Sequence, residues 1–258
     1  MSVLSYENVD ISYNGNTVVK NINFKLAEGE ILGIVGESGS GKSTVLKAAM
    51  NLLGKGGLVT RGDIWFKGMD IPDLPDKQMR KINGPEIGMI FQNSGSAFCP
   101  IRTVGDQLYE AMCAHERISK AEFKNKATEL FEKIGFNDVQ RILKSYPFEL
   151  SGGMQQRVGV AAAMLMKPKV LLADEPTSAL DVSIQRLVID EMLKVRELFG
   201  TSMIIVSHNI GVIGAMADNV IVMKDGQMIE YGKKDDVINC PKEEYTKKLM
   251  SAVPKLKR

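Results

Sequence analysis

The stretch of sequence that decides the fold is Gly36-Glu37-Ser38-Gly39-Ser40-Gly41-Lys42-Ser43, which fits the pattern G-x-x-x-x-G-K-S/T. An apolar run at 31–35 precedes it, and apolar residues at helical spacing follow it over 45–53. In this context the glycines let backbone amides wrap around a phosphate at the positive end of the following helix. We therefore expect Lys42 to reach the terminal phosphates of a nucleotide and the Ser43 hydroxyl to ligate Mg²⁺. The placement between a strand and a helix argues against a plain glycine-rich turn.

Composition limits the classes of protein to which the chain can belong. It has 258 residues, of which 44% are hydrophobic and 25% charged, so it is expected to fold as a globular protein. The net charge of +2 gives no overall field that would attract nucleic acid, and no nucleic-acid partner is expected. Cys99, Cys113 and Cys240 lack metal-like spacing, which favours a reducing compartment over a disulfide framework.

The N-terminal residues carry no secretory signal, and no apolar run reaches the length of a membrane-spanning helix. We expect a cytoplasmic protein whose role at a membrane, if it has one, passes through a partner.

The order of predicted elements indicates an α/β fold with a parallel sheet. Strands are predicted at 3–9, 11–13, 18–26 and 31–35, and residues 103–165 are mainly helical. From Lys169 onward short apolar strands alternate with helices, as in parallel sheets. The predicted architecture is a P-loop NTPase core, an N-terminal antiparallel β-subdomain and an inserted α-helical subdomain at about 93–165, within one domain over 1–258.

Two carboxylates follow the apolar strand at 170–173. We expect Asp174 at the carboxyl edge of the parallel sheet, beside the phosphate loop, where Mg²⁺ needs an anionic partner. Glu175 points differently and can polarise a water that attacks the γ-phosphate. Taken alone, the pair is equally compatible with an ordinary acidic loop.

A second helix start lies at Leu150-Ser151-Gly152-Gly153-Met154-Gln155-Gln156-Arg157. Its exposed amides can grip a phosphate, although by itself the pattern is as compatible with a plain helix N-terminus. Together with the phosphate loop and the carboxylates, it resembles the ATPase subunits of ATP-binding cassette (ABC) transporters, whose signature reads LSGGQ. Met154 replaces the glutamine, a variant similar to the importer branch. The resemblance spans nearly the whole chain.

The resemblance implies roles for further residues. Tyr13 resembles the aromatic that stacks on adenine, Gln92 the glutamine that senses Mg²⁺ and the attacking water, and His208 the histidine that contacts the γ-phosphate. Without the family, Tyr13 is equally compatible with a half-exposed strand residue, and a histidine at a strand end is more often structural. Asn209 stands where the family usually has aspartate. The implied nucleotide-binding set is Tyr13, Gly36, Ser38, Gly39, Ser40, Gly41, Lys42, Ser43, Thr44, Ser151, Gly152 and Gly153; the catalytic set is Glu175, His208 and Gln92; the metal set is Ser43, Gln92 and Asp174.

The resemblance also implies partners. In the family two ATPase subunits pair head to tail, so that each ATP lies between the phosphate loop of one and the signature of the other. The segment 178–181 resembles the part that crosses between them. The other implied partners are transmembrane permease subunits and, indirectly, an extracytoplasmic solute-binding protein, which would place the chain peripherally on the cytoplasmic face of the membrane.

The transported solute is weakly encoded. Residues 93–100 and 245–254 resemble the dipeptide, oligopeptide and nickel importer subfamily. The peptide members often carry a longer C-terminal extension with a cysteine cluster, so its absence here favours nickel or another metal chelate over peptides. Two other functional classes are alternatives to an importer subunit. A soluble ABC ATPase of DNA repair or translation normally has two cassettes or a long coiled coil, and neither is present here. A non-hydrolysing regulator is disfavoured by the presence of Glu175 and His208.

Overall fold

The computed structural model describes residues 2–178 and 180–251. Ala179 in the predicted crossing segment and residues 252–254 of the C-terminal resemblance lie outside the described residues. The strands are β1 (Ser2–Tyr13), β2 (Asn16–Ala27), β3 (Ile31–Val35), β4 (Gly57–Phe66), β5 (Met69–Asp70), β6 (Ile87–Ile90), β7 (Val170–Asp174), β8 (Ser202–Val206), β9 (Asn219–Lys224) and β10 (Gln227–Lys233). The helices are α1 (Lys42–Ala48), α2 (Asp76–Ile82), α3 (Val104–Cys113), α4 (Lys120–Ile134), α5 (Val139–Lys144), α6 (Gly152–Ala163), α7 (Val182–Phe199), α8 (Ile210–Met216), α9 (Lys234–Asn239) and α10 (Glu244–Ser251).

The chain forms two compact units, one of residues 2–79 with 202–251 and one of residues 80–201. The first unit contains an antiparallel sheet in the order β2-β1-β4-β5 and a second set of strands in the order β10-β9-β3-β8. In the second set, β3 runs parallel to β8 and β9, whereas β10 is antiparallel to β9. The predicted α/β class, with an antiparallel N-terminal sheet and parallel strands, is confirmed.

Tyr6 ties the antiparallel sheet to the helix that follows the phosphate loop. Its hydroxyl donates a hydrogen bond of 2.6 Å to the carbonyl of Val45 in α1, and its ring stacks on Phe24 at 4.5 Å. Burial raises the pKa of Tyr6, so the phenol stays neutral and remains a donor. Helix α1 is thereby held in place by β1.

The parallel strands of the first unit bring three loops to one edge. Ile34 of β3 lies opposite Val206 of β8, and Val35 lies opposite Val222 of β9. Since parallel strands end on the same side, the phosphate loop, the loop with His208 and the turn after β9 all leave that edge.

In the second unit, β6 and β7 run parallel and Ile90 lies opposite Ala173. Helices α3 to α6 lie within residues 104–163, and the boundaries 93–165 of a helical subdomain stay a prediction. The sequence also indicates helix caps at Thr103, Ser119 and Ser151, and all three are confirmed, because each side chain accepts a backbone N–H from the first turn of its helix.

One guanidinium joins three elements of the second unit. Arg157 of α6 donates to Glu191 Oε1 of α7 at 2.6 Å and to the carbonyl of Gly135, at the end of α4, at 3.2 Å. Its Cζ lies 4.3 Å from the centre of the Phe136 ring. Glu191 is only 1% exposed, and burial raises the pKa of its carboxyl even though the hydrogen bond from Arg157 acts in the opposite direction.

We expect Arg157→Met to lower the free energy of unfolding by about 3–5 kcal/mol, because it leaves the Glu191 carboxylate buried without its cation. Lys133→Met is the control, since the ion pair of Lys133 with Glu129 is exposed and should contribute much less to stability. Urea unfolding followed by circular dichroism measures both. The double variant Arg157→Met with Glu191→Leu should recover part of the loss, and equal losses for Arg157→Met and Lys133→Met would contradict the role of the buried pair.

Candidate functional site

The phosphate loop folds into a shape that requires glycine at its two ends. Gly36 has φ 154° and Gly41 has φ 96°. A Cβ on Gly36 would lie 2.2 Å from the carbonyl oxygen of Met223 in β9, and one on Gly41 would lie 2.8 Å from Cγ2 of Val19. The loop therefore packs directly on the backbone of the neighbouring strand, which a side chain at Gly36 would prevent.

Lys42 turns back into the loop that precedes it. The side chain is buried, with 5% exposed, and its Nζ donates to the carbonyls of Gly36 at 2.9 Å and Glu37 at 2.7 Å and to Ser40 Oγ at 3.3 Å. A phosphate oxygen is a stronger partner for an ammonium than a neutral carbonyl. The Lys42 ammonium therefore lies where it would contact an anion bound by the loop.

Ser43 and Thr44 are partly buried in the first turn of α1, where the N-cap Gly41 has no side chain to occupy the helix N-terminus. Tyr13 is half-buried at the end of β1, opposite Gly57 of β4. A Cβ on Gly57 would lie 2.6 Å from Cε1 of Tyr13, so the absence of a side chain at Gly57 leaves room for the ring.

His208 is exposed, two residues beyond the end of β8. The next residue, Asn209, accepts the N–H of Gly211 at 2.9 Å and caps α8. An asparagine therefore provides the helix cap at the position where the resemblance implies aspartate.

In the second unit the structure brings Gln92 and Glu175 together. The Gln92 Nε2 donates to Glu175 Oε2 at 3.1 Å. Ser178 Oγ donates to the carbonyls of Glu175 at 3.0 Å and Gln92 at 3.4 Å. Glu175 has φ 48°, a left-handed conformation that costs energy for a residue with a Cβ, whereas Asp174 is buried at the end of β7. Backbone and hydrogen bonds thus fix the direction of the Glu175 carboxylate.

The serine and glycines of the signature begin helix α6. Ser151 Oγ accepts the N–H of Met154 at 3.3 Å. A Cβ on Gly153 would lie 2.8 Å from Ile184 of α7, and a Cβ on Gly159 would lie 2.4 Å from the Ser94 side chain. The glycines of α6 therefore allow close packing on α7 and on the 3₁₀ turn Ser94–Ala97, which follows Gln92. Sequence reasoning missed these contacts, although the glycines within a helical pattern were a signal for them.

The predicted site residues lie in both units. The first unit carries the phosphate loop, Tyr13 and His208, and the second carries Gln92, Asp174, Glu175 and the signature. Within residues 2–178 and 180–251, no group of three or more His, Cys, Asp or Glu residues is arranged to hold a metal ion. A joint site built by Lys42, Ser43 and Asp174 stays a prediction.

A family model described as ABC transporter matches residues 19–178, which contain the phosphate loop, the signature and both carboxylates. The chain belongs to the ABC transporter family. The match confirms the resemblance that the motifs carry.

Two relatives are similar over most of their length. The oligopeptide transport ATP-binding protein OppD of Bacillus subtilis is 42% identical over 95% of this chain and 69% of its own length. The metal-staphylopine import system ATP-binding protein CntD of Staphylococcus aureus is 40% identical over 99% of this chain and 95% of its own length.

Solved ABC structures share the fold. CbiO1 from Clostridium perfringens, part of the transporter complex cbiONQ, has a TM-score of 0.81 at 26% identity and covers 93% of this chain and 91% of its own. The cassette MJ0796, described as dimeric and bound to ADP and Pi after hydrolysis, has a TM-score of 0.77 at 29% identity and covers 90% of this chain and 98% of its own.

The chain is therefore an ABC ATPase cassette homologous to the ATP-binding subunits of importers. These findings support that interpretation and not the soluble or non-hydrolysing alternatives. In the described part of the chain, no helix has the length and apolar character needed to cross a membrane.

We expect Gly36→Ala to weaken ATP binding by more than about tenfold, or about 1.4 kcal/mol, because the new methyl group displaces the loop from β9. A fluorescent ATP analogue measures the affinity. Gly15→Ala is the matched control, since Gly15 also has a positive φ, +83°, but a Cβ there meets nothing within 4 Å. Gly15→Ala should bind ATP like the original chain, and normal binding by Gly36→Ala would contradict the packing argument.

Proposed function

We propose that this chain is the energy-coupling subunit of an ABC importer, in which two cassettes bind and hydrolyse ATP between them. The proposal of ATP hydrolysis rests on the Glu175 carboxylate. Glu175 directly follows the buried strand β7, and its Oε2 accepts a hydrogen bond from Gln92 Nε2 at 3.1 Å. A carboxylate of fixed direction is suited to orient and polarise a water molecule.

Nucleotide binding is assigned to the first unit and to the signature. The backbone amides between Gly36 and Gly41 surround the β-phosphate, and Lys42 leaves its carbonyl partners for the β- and γ-phosphates. Ser43 and Thr44 lie at the N-terminus of α1, where anions are stabilised. Tyr13 stacks on the adenine, and its partial exposure at the end of β1 supports this role.

Mg²⁺ is assigned to Ser43, Asp174 and Gln92. A hydroxyl, a carboxylate and an amide oxygen are the hard donors that Mg²⁺ prefers, and in nucleotide sites the phosphates supply further ligands. The donor set therefore fits the ion. When bound, Mg²⁺ neutralises charge on the β- and γ-phosphates.

In the proposed hydrolysis, Glu175 polarises the attacking water and Gln92 positions the carboxylate. His208 contacts the γ-phosphate, and its exposure after β8 supports access to a ligand. Loss of the γ-phosphate removes the anionic partner of Ser151, Gly152 and Gly153 of the facing subunit, so that the pair opens again.

The facing subunit is a second copy or a related ATPase, a proposal supported by the dimeric state described for MJ0796. The other proposed partners are permease subunits at the cytoplasmic face of the membrane, with a solute-binding protein acting indirectly. Exposed apolar side chains in the second unit support contact with a membrane subunit: Ile101 is 81% exposed, and Phe148, 68% exposed, stacks with Tyr146 at 5.6 Å.

The proposed solute is a metal chelate, nickel included, with peptides as the second candidate. The relative named for metal-staphylopine import supports the first, and the relatives named for oligopeptide and dipeptide transport support the second.

We expect Glu175→Gln to bind ATP with unchanged affinity but to hydrolyse it about 10²–10⁴-fold more slowly, because the amide cannot act as a general base. Steady-state phosphate release and equilibrium binding measure the two properties. Lys42→Ala is the comparison, since it should lose binding as well. Loss of ATP binding in Glu175→Gln would contradict its assigned role.

The importer proposal is tested with the chain purified together with its native membrane subunits in lipid vesicles. Stimulation of ATP hydrolysis by a nickel chelate, and not by peptides, identifies the first solute class; the reverse result identifies the second. Failure of the chain to assemble with any membrane subunit would contradict the proposal.

A further inference from the structure

The C-terminal helix α10 is anchored firmly in the first unit. Glu230 of β10 accepts the backbone N–H groups of Lys242 at 2.9 Å and Glu243 at 3.2 Å, just before the helix begins. Thr246 and Met250 are buried. The first turn of α10 therefore has a defined position.

Tyr245, in that first turn, contacts the phosphate loop. Its Oη accepts the backbone N–H of Glu37 at 3.3 Å, although the two residues are 208 positions apart in the sequence. The ring lies 5.0 Å from the Nζ of Lys224, at the end of β9. The hydroxyl thus binds the phosphate loop itself, and the ring lies beside the end of the neighbouring strand β9.

The N–H that Tyr245 accepts belongs to the same peptide group as the carbonyl of Gly36. That carbonyl accepts the Nζ of Lys42 at 2.9 Å. A trans peptide is planar, with its N–H and C=O pointing in opposite directions, so fixing one group fixes the other. The Tyr245 hydroxyl and the Lys42 ammonium therefore hold opposite ends of one peptide plane.

A second hydrogen bond supports the phosphate loop. The N–H of Gly226, in the turn after β9, donates to the carbonyl of Ser40 at 3.2 Å.

The pKa of the Tyr245 hydroxyl is raised. Burial and the nearby carboxylates of Glu37 and Asp225 raise it, although the backbone N–H of Glu37 acts in the opposite direction. The hydroxyl therefore remains neutral at physiological pH.

We propose that Tyr245 is a positioning residue for ATP binding, which holds the Gly36–Glu37 peptide and so couples the C-terminal helix to the nucleotide affinity of the phosphate loop. This inference rests on the proposed nucleotide-binding role of the loop. A loop already held in its binding conformation loses less freedom when a phosphate binds.

Tyr245→Phe tests the proposal, because it keeps the ring beside Lys224 and removes only the hydroxyl. We expect the Kd for Mg–ADP, measured by titration calorimetry on the full chain, to rise about 3- to 10-fold, as for the loss of one hydrogen bond. The KM for ATP should rise by a similar factor, whereas kcat should stay within about twofold, since the loss acts on binding and not on the chemical step.

Tyr231→Phe is the matched control. Tyr231 lies in β10, is 45% exposed, and makes no hydrogen bond with the phosphate loop in the described residues. Loss of the Tyr231 hydroxyl should leave the Kd unchanged, and both variants should melt within a few degrees of the original chain.

Equal Kd values for Tyr245→Phe and the original chain would overturn the inference and leave the proposed function standing. A loss of affinity that follows a matching fall in melting temperature would also overturn it, because the effect would then be on folding. Absence of Mg–ADP binding in the original chain would overturn both the inference and the proposed function.

Discussion

The burial of one positive charge is the constraint on which the rest of the structure depends. The Lys42 ammonium lies inside the phosphate loop, and a buried charge is costly unless polar groups surround it. The loop supplies the carbonyls of Gly36 and Glu37, and it can present them only because glycine permits the turn against the carbonyl of Met223. The strands, the Tyr6 contact to α1 and the turn after β9 all keep this short loop in its shape.

In the second unit, polar groups hold a negative charge that is only half-buried. Glu175 adopts a left-handed conformation, and Gln92 and Ser178 hold its carboxylate and its carbonyl. The 3₁₀ turn after Gln92 packs on helix α6 at Gly159, so the residue that holds Glu175 is connected through close packing to the helix that begins at Ser151.

Local sequence patterns were sufficient to predict the strand that precedes the phosphate loop. Strand β3 has the predicted bounds 31–35, because a buried parallel strand is a continuous apolar run that ends at glycine. The prediction of separate strands at 3–9 and 11–13 was wrong, since β1 continues through Asp10, which pairs with Arg61 of β4 where the register shifts. Strand β10 was not predicted because its residues are largely half-exposed and lack a clear apolar alternation.

Long-range contacts could not be predicted from the sequence. The hydrogen bond between Tyr245 and Glu37 and the ion pair between Arg157 and Glu191 join residues that no local pattern relates. The sequence identified Gln92 only through the family resemblance, and the geometry adds the bond to Glu175. Sequence motifs thus indicated the chemistry, whereas the structure is needed to see how each group is held in position.

The central claim is that each ATP lies between the phosphate loop of one subunit and the signature of another. The most direct test measures ATP hydrolysis by Lys42→Ala chains, by Ser151→Arg chains and by an equal mixture of the two. Where the facing subunit is a second copy of this chain, the account predicts that each variant alone is inactive and that the mixture recovers up to about a quarter of the original rate, because half of the dimers are mixed and each has one intact composite site. Full activity of the Ser151→Arg chain alone would contradict it.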